Sequence, residues 1–274
     1  MLQKKLYALI LILLISVLGA CSQDENKESE TTMFQHVHGL AYELSAPYDL
    51  YLGTHYGLYH IDSNNSWTWL GTNKNRHDLM GFNFINENTM ISSGHPSEGS
   101  KLKNPIGVII STDKAETWEP IALHGEVDFH TFEVNASDSG VLYGIDGSGF
   151  YRSEDSGYNW EVIDTKGLPE NPQDIYSLIS NPSQPHSLLA GTKYGIYKSD
   201  NGGETWVLET DQETLISAKG AYGQAGTIVA YVQGKTKNGL MKSEDFGNTW
   251  TSLNLSLEDD AVAHIAIHPN NDKE

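Results

Sequence analysis

Thiols are almost absent from this 274-residue chain, whose single cysteine is Cys21. One thiol at the end of a leader excludes intramolecular disulfides, a zinc–thiolate site and a cysteine nucleophile in the exported domain. Arginine is nearly as scarce, with only Arg76 and Arg152. Cationic charge is short overall: 17 Lys and Arg face 36 Asp and Glu, for a formal net charge of −19. Such a surface repels nucleic acid and anionic lipid headgroups and keeps a domain soluble. Long apolar runs are missing as well, apart from one at the N-terminus.

That run, Leu6 to Gly19, follows the basic pair Lys4 and Lys5 and has signal-peptide length. It ends in Leu18-Gly19-Ala20-Cys21, which resembles the lipobox of bacterial lipoproteins. The resemblance implies cleavage before Cys21, diacylglycerol on its sulfur, and an extracytoplasmic, membrane-anchored protein. Residues 1–20 are thus expected to be the signal peptide, and 21–33 the lipidated cysteine with a polar, disordered tether. Loss of the leader leaves 15 basic residues against the same 36 acidic ones. The acyl chain, not a basic patch, would hold such a domain at the membrane.

Residues 34–274 repeat one phrase four times. It reads Ser111-x-Asp113 to Trp118, Ser153-x-Asp155-x-Gly157 to Trp160, Ser199-x-Asn201-x-Gly203 to Trp206, and Ser243-x-Asp245-x-Gly247 to Trp250. The tryptophans are spaced 42, 46 and 44 residues apart. A period of that length suits one four-stranded propeller blade. Between the phrases, short apolar strands alternate with turns rich in Asn, Asp, Ser, Pro and Gly, the grammar of an all-β fold. The phrase is similar to the Asp-box, or BNR repeat, of sialidase-like and sortilin-like β-propellers. It also resembles the bacterial lipoproteins of that type commonly labelled glycosyl hydrolases.

The resemblance implies an Asp-box β-propeller with the boxes on the face away from any ligand. The box chemistry is structural: Ser and Asp side chains bond turn amides, Gly takes a positive φ, and Trp packs between sheets. Five blades are expected at 36–71, 77–123, 128–164, 174–210 and 215–255. The first is degenerate, with Asn64, Ser66 and Trp69 in place of a box. Residues from Ala261 onward read as the opening strand of a sixth, apparently incomplete blade.

Histidine is uneven, and eight of the eleven fall within residues 36–130. His36 and His38 form His-x-His, which in a strand sets both imidazoles on one side, about 7 Å apart. Aligned on their apolar cores, the inner strands put His38, Met80, His130 and Tyr176 in equivalent places near the channel mouth. His55, His77 and His95 follow nearby, with Asp78 and Asp128 as orienting or acid/base carboxylates. A set of His36, His38, His77, Met80, His130, His55 and His95 suits copper or zinc.

Two other readings compete. A sialidase grips its substrate carboxylate with three convergent arginines, and two cannot do so. Another glycoside hydrolase needs two carboxyl groups about 5–10 Å apart, and this acidic chain offers candidates. Alternatively the propeller binds a protein or glycan without metal, as sortilin-like and photosystem-assembly propellers hold peptides or proteins, using aromatics such as Tyr48, Tyr56 and Tyr176.

Overall fold

A computed structural model describes residues 36–45, 49–258 and 260–269. The leader, Cys21, the tether and Tyr48 lie outside them. The described chain is an all-β propeller of five four-stranded antiparallel blades. Blade 1 comprises β1 (Val37–Tyr42), β2 (Leu50–Thr54), β3 (Gly57–Ile61) and β4 (Trp67–Trp69). Blade 2 comprises β5 (Asp78–Asn86), β6 (Thr89–His95), β7 (Gly107–Ser111) and β8 (Glu119–Ala122). Blade 3 follows as β9 (Thr131–Val134), β10 (Leu142–Asp146), β11 (Gly149–Ser153) and β12 (Glu161–Ile163). Blade 4 is β13 (Ile175–Asn181), β14 (Gln184–Thr192), β15 (Gly195–Ser199) and β16 (Val207–Thr210). Blade 5 is β17 (Glu213–Gly220), β18 (Ile228–Gly234), β19 (Gly239–Ser243) and β20 (Thr251–Ser252).

The boxes are self-contained turns. Ser153 Oγ accepts the Gly157 amide at 3.0 Å, and Asp155 Oδ1 accepts the Asn159 amide at 2.8 Å. The same pair of bonds recurs at Ser111 and Asp113, at Ser199 and Asn201, and at Ser243 and Asp245. Hydrogen bonds from the Asn159 side chain and backbone hold the Asp155 carboxyl below the usual carboxylate range. Gly157 needs its φ of 90° for this turn. Its missing side chain also lets the turn approach blade 2, since a Cβ there would lie 2.9 Å from Ile91. Blade 2 tolerates Ala115 at the corresponding site with φ 64°.

Two box tryptophans are buried against the preceding blade. Trp118 joins Tyr51 and Leu58 of blade 1 in one cluster, and Trp206 joins Tyr143 and Phe150 of blade 3 in another. The first blade differs from the sequence reading in one respect. Ile61 pairs with Trp67, as the register places Ser153 opposite the Trp160 position, so Trp67 rather than Trp69 stands at the box-tryptophan site. Asp62 builds that blade's altered turn by accepting the Asn64 and Ser66 amides at 2.9 and 2.8 Å. The segment from Ala261 to His268, read from the sequence as the start of a sixth blade, carries no strand pairing among the described residues.

Candidate metal centre

Antiparallel pairing sets the start of each inner strand beside the end of the second strand: Val37 faces Thr54, and Asp78 faces His95. His55 and His95 therefore share an edge with His38, Met80, His130 and Tyr176. The boxes follow the third strands, whose ends lie on the opposite edge.

At this edge the structure brings together His36, His38 and His55, one ring nitrogen of each lying within 4.8 Å of the others. The β1–β2 register shifts between Val37 and Gly39, so His38 sits in an irregularity of the strand. His38 Nε2 and His55 Nε2 are 3.1 Å apart, with the rings nearly perpendicular at 82°. Asp78, which opens blade 2, reaches back to His55 Nδ1 at 2.7 Å. A carboxylate only accepts, so His55 carries a proton on Nδ1, and in the neutral ring its Nε2 faces His38 as an acceptor. Two imidazoles bound tetrahedrally at about 2.0–2.1 Å would have nitrogens about 3.3 Å apart. The His38–His55 separation fits that value, and the His55–Asp78 contact is the usual support for a ligating imidazole.

The next pair of blades repeats the link with different partners. His95 Nε2 and His130 Nε2 both lie 2.9 Å from Asp128 Oδ2, and His95 Nδ1 meets Asn104 Oδ1 at 2.7 Å. In blade 4 the corresponding acid, Asp174, accepts from Tyr194 at 3.1 Å and pairs with Lys193 at 3.6 Å. His95 and His130 thus gather on Asp128, not in the three-histidine group. Asp78 and Asp128 each keep one buried carboxylate oxygen without a hydrogen-bond partner. Met80 is buried at 7 % exposure and is not in that group.

His77 is structural in its surroundings. It is 1 % exposed, its Nδ1 accepts the Ser97 amide at 3.1 Å, and burial pushes its pKa down to about 4. A base with a lowered folded pKa binds its proton first in the unfolded chain. Its stabilising contribution is therefore complete above about 6.5 and is lost as pH falls from there through about 4. Chemical unfolding is expected to show about 2 kcal/mol less stability at pH 5 than at pH 7 from this group. His77→Gln should flatten that part of the profile. An unchanged slope in the variant would assign the acid sensitivity to other groups.

Two residues that the sequence reading passed over face the central channel. The inner segments enclose a cavity of about 140 Å³ lined by His38, His130, Tyr176, Glu133, Lys219 and His264, among others. Burial raises the Glu133 carboxyl while Lys219 opposes the shift, and Glu133 accepts both the amide and the hydroxyl of Ser180. The available signal was a carboxylate inside the apolar run Thr131-Phe132-Glu133-Val134. His264 donates from Nε2 to the Val37 carbonyl at 2.8 Å, and burial lowers its pKa. Nothing local in its sequence marks that role.

The fold and this edge define a β-propeller with a three-histidine cluster that could hold a metal. No family model matches the chain. A curated xyloglucanase from a Paenibacillus species is 23 % identical over 208 residues, 70 % of this chain. The chain spans only 18 % of that relative's length. Among solved structures, it is similar to a GH74 enzyme of Niastella koreensis, with TM-score 0.54 and 20 % identity over 79 % of this chain and 36 % of the other. The GH74 xyloglucanase from Xanthomonas campestris aligns with TM-score 0.51 and 16 % identity over 79 % of this chain and 37 % of the other. These likenesses establish a distant propeller relationship in fold.

Proposed function

We propose that the protein is an extracytoplasmic, lipid-anchored, non-catalytic propeller that binds one copper or zinc ion through His36, His38 and His55. The observation that carries this reading is the His38–His55 pair, spaced for a shared ion and oriented by Asp78 from the next blade. Imidazole donors suit both metals. A bound ion would draw His38 Nε2 into ligation, so that ring must carry its proton on Nδ1. Asp78 would orient the His55 ring, and the first blade would hold His38 and His55 in place before the ion arrives. The direct test is metal analysis of tag-free protein after equilibration with zinc or copper and desalting, with about one ion per chain expected.

Anchoring through Cys21 is part of the same proposal. Cys21→Ser is expected to abolish incorporation of an alkyne-tagged fatty acid and to release the protein from membranes. Labelling that persists in the variant would remove the lipoprotein reading.

A second reading, glycan binding or glycoside hydrolysis other than sialidase action, draws on the xyloglucanase likeness. It is favoured also by exposed Tyr56, Tyr176 and Tyr194 at the same edge, with exposures of 52, 44 and 51 %. Incubation with xyloglucan oligosaccharides separates the two. Product formation would make the protein an enzyme, and saturable binding without turnover would make it a lectin-like propeller.

A further inference from the structure

Three of the four junctions between consecutive blades are filled by an aliphatic side chain beside the next box. Residues 70–77 link blade 1 to blade 2, where Leu70 packs on the cluster that holds Trp118 and the Asn75 side chain donates to the Glu116 carbonyl. Residues 164–174 link blade 3 to blade 4. There Leu168 joins the cluster of Trp206, and the Trp206 amide donates to the Lys166 carbonyl at 2.8 Å. Between blades 2 and 3 the filler is Ile121, an extra residue of β8 where its register with β7 shifts. A Cβ on Gly157 would lie 3.6 Å from Ile121 Cδ1, and Leu123 packs on the same cluster as Trp160. Only Asp211 and Gln212 link blade 4 to blade 5. Both blades and this link are described throughout, so the junction is shaped by one short connector inside the fold.

A cavity of about 300 Å³ lies at this fourth junction. Buried Leu189, Ile196, Val232 and Phe246 form its floor, and half-buried Trp250 forms one side. Two charged residues lining it stand where blade 2 is apolar. Strand register places Lys198 at the position of Ile110, and Glu209, the extra residue of β16, at the position of Ile121. The register equivalents of Lys198 in blades 3 and 1 are closely paired, Arg152 with Glu161 at 2.6 Å and His60 with Asp49 at 2.9 Å. Lys198 reaches Asp200 only at 3.6 Å, longer than a charge-assisted hydrogen bond, so its ammonium keeps donors to offer. Among the described residues Glu209 forms no ion pair, with Lys198 or with any other cation.

We propose that this cavity binds a free α-amino acid with a branched aliphatic side chain, of leucine or isoleucine size. The fillers of the other junctions, Leu70, Ile121 and Leu168, state the apolar part of the ligand. Its side chain lies on Ile196 and Phe246 beside the Trp250 indole. Its carboxylate meets Lys198 and its ammonium meets Glu209, two opposite charges that do not pair with each other. The volume is at the small end of ligand pockets, which suits a molecule of about nine non-hydrogen atoms. A neutral sugar would cover both charges without a counter-charge for either, which is costly, whereas a zwitterion answers both. The inference is independent of the metal reading.

Isothermal titration of the full chain with L-leucine is expected to give one site with a Kd of about 10–100 µM. Isovalerate, which lacks the ammonium, and isoamylamine, which lacks the carboxylate, should each bind at least about tenfold more weakly. Glu209→Gln should weaken leucine about tenfold and leave isovalerate no weaker, because only the ammonium has lost its partner. Glu209→Ile copies the Ile121 filler of blade 2. It should abolish leucine binding while keeping or raising the melting temperature, which separates loss of the site from loss of the fold. Glu119→Gln, at an exposed site on β8, should leave binding unchanged. No saturation at about 10 mM leucine would overturn the proposal, as would leucine binding indifferent to Glu209→Ile. Saturable binding of glucose that Glu209→Ile abolishes, without leucine binding, would make the cavity a sugar site and would equally overturn it.

Discussion

Replacing His38 and His55 together by alanine is expected to abolish one-to-one binding of zinc or copper, weakening apparent affinity at least about 100-fold. Melting temperature should stay within a few degrees, because the fold rests on the box-anchored cores rather than on this edge. Asp78→Asn is the more informative variant. It keeps the shape of the side chain but removes the carboxylate that fixes the proton on His55 Nδ1, and about a 10–100-fold loss of affinity is expected. His130→Ala should leave binding intact, since His130 lies against Asp128 with His95. Isothermal titration with each ion measures all three. Undiminished binding by the double variant would place the ion elsewhere, and loss in His130→Ala would draw the Asp128 group into the site.

Trp206→Ala is expected to cost about 3–5 kcal/mol of folding stability, the largest effect of any single change considered. The indole is 5 % exposed, fills the interface between blades 3 and 4, and donates from Nε1 to the Gly203 carbonyl at 2.7 Å. Truncation leaves both a cavity and an unpaired carbonyl. Trp67→Ala removes the same side chain at the register-equivalent site of blade 1, where it packs on Tyr59 at 6.0 Å but remains 43 % exposed. About 1 kcal/mol or less is expected there, because less apolar surface returns to water. Urea unfolding compares the two. Similar losses in both variants would mean that box position, not burial by the preceding blade, sets the contribution.

Four of the five blades were legible in the sequence because each box is built from contacts four residues apart or fewer. Ser153 to Gly157 and Asp155 to Asn159 are bonds that the residue types announce. The propeller, its period and its four regular tryptophan anchors follow from that local chemistry. The equivalence of His38, Met80, His130 and Tyr176 was also readable, because apolar alternation carries strand register. Which histidines meet was not. His55 reaches Asp78 in the next blade, and His95 turns to Asp128 in the blade after, so partners are chosen by blade-to-blade packing over 23 and 33 residues. His77 and Met80 sit beside these residues in sequence yet are buried, because the start of blade 2 is covered on both faces. The closing segment shows the same division. Its apolar sequence marked Ala261–Ile267 as an inner strand, but only the tertiary structure shows the Ser217 hydroxyl donating to the Val262 carbonyl and His264 donating to the Val37 carbonyl, because hydrogen bonds between distant segments leave no local pattern.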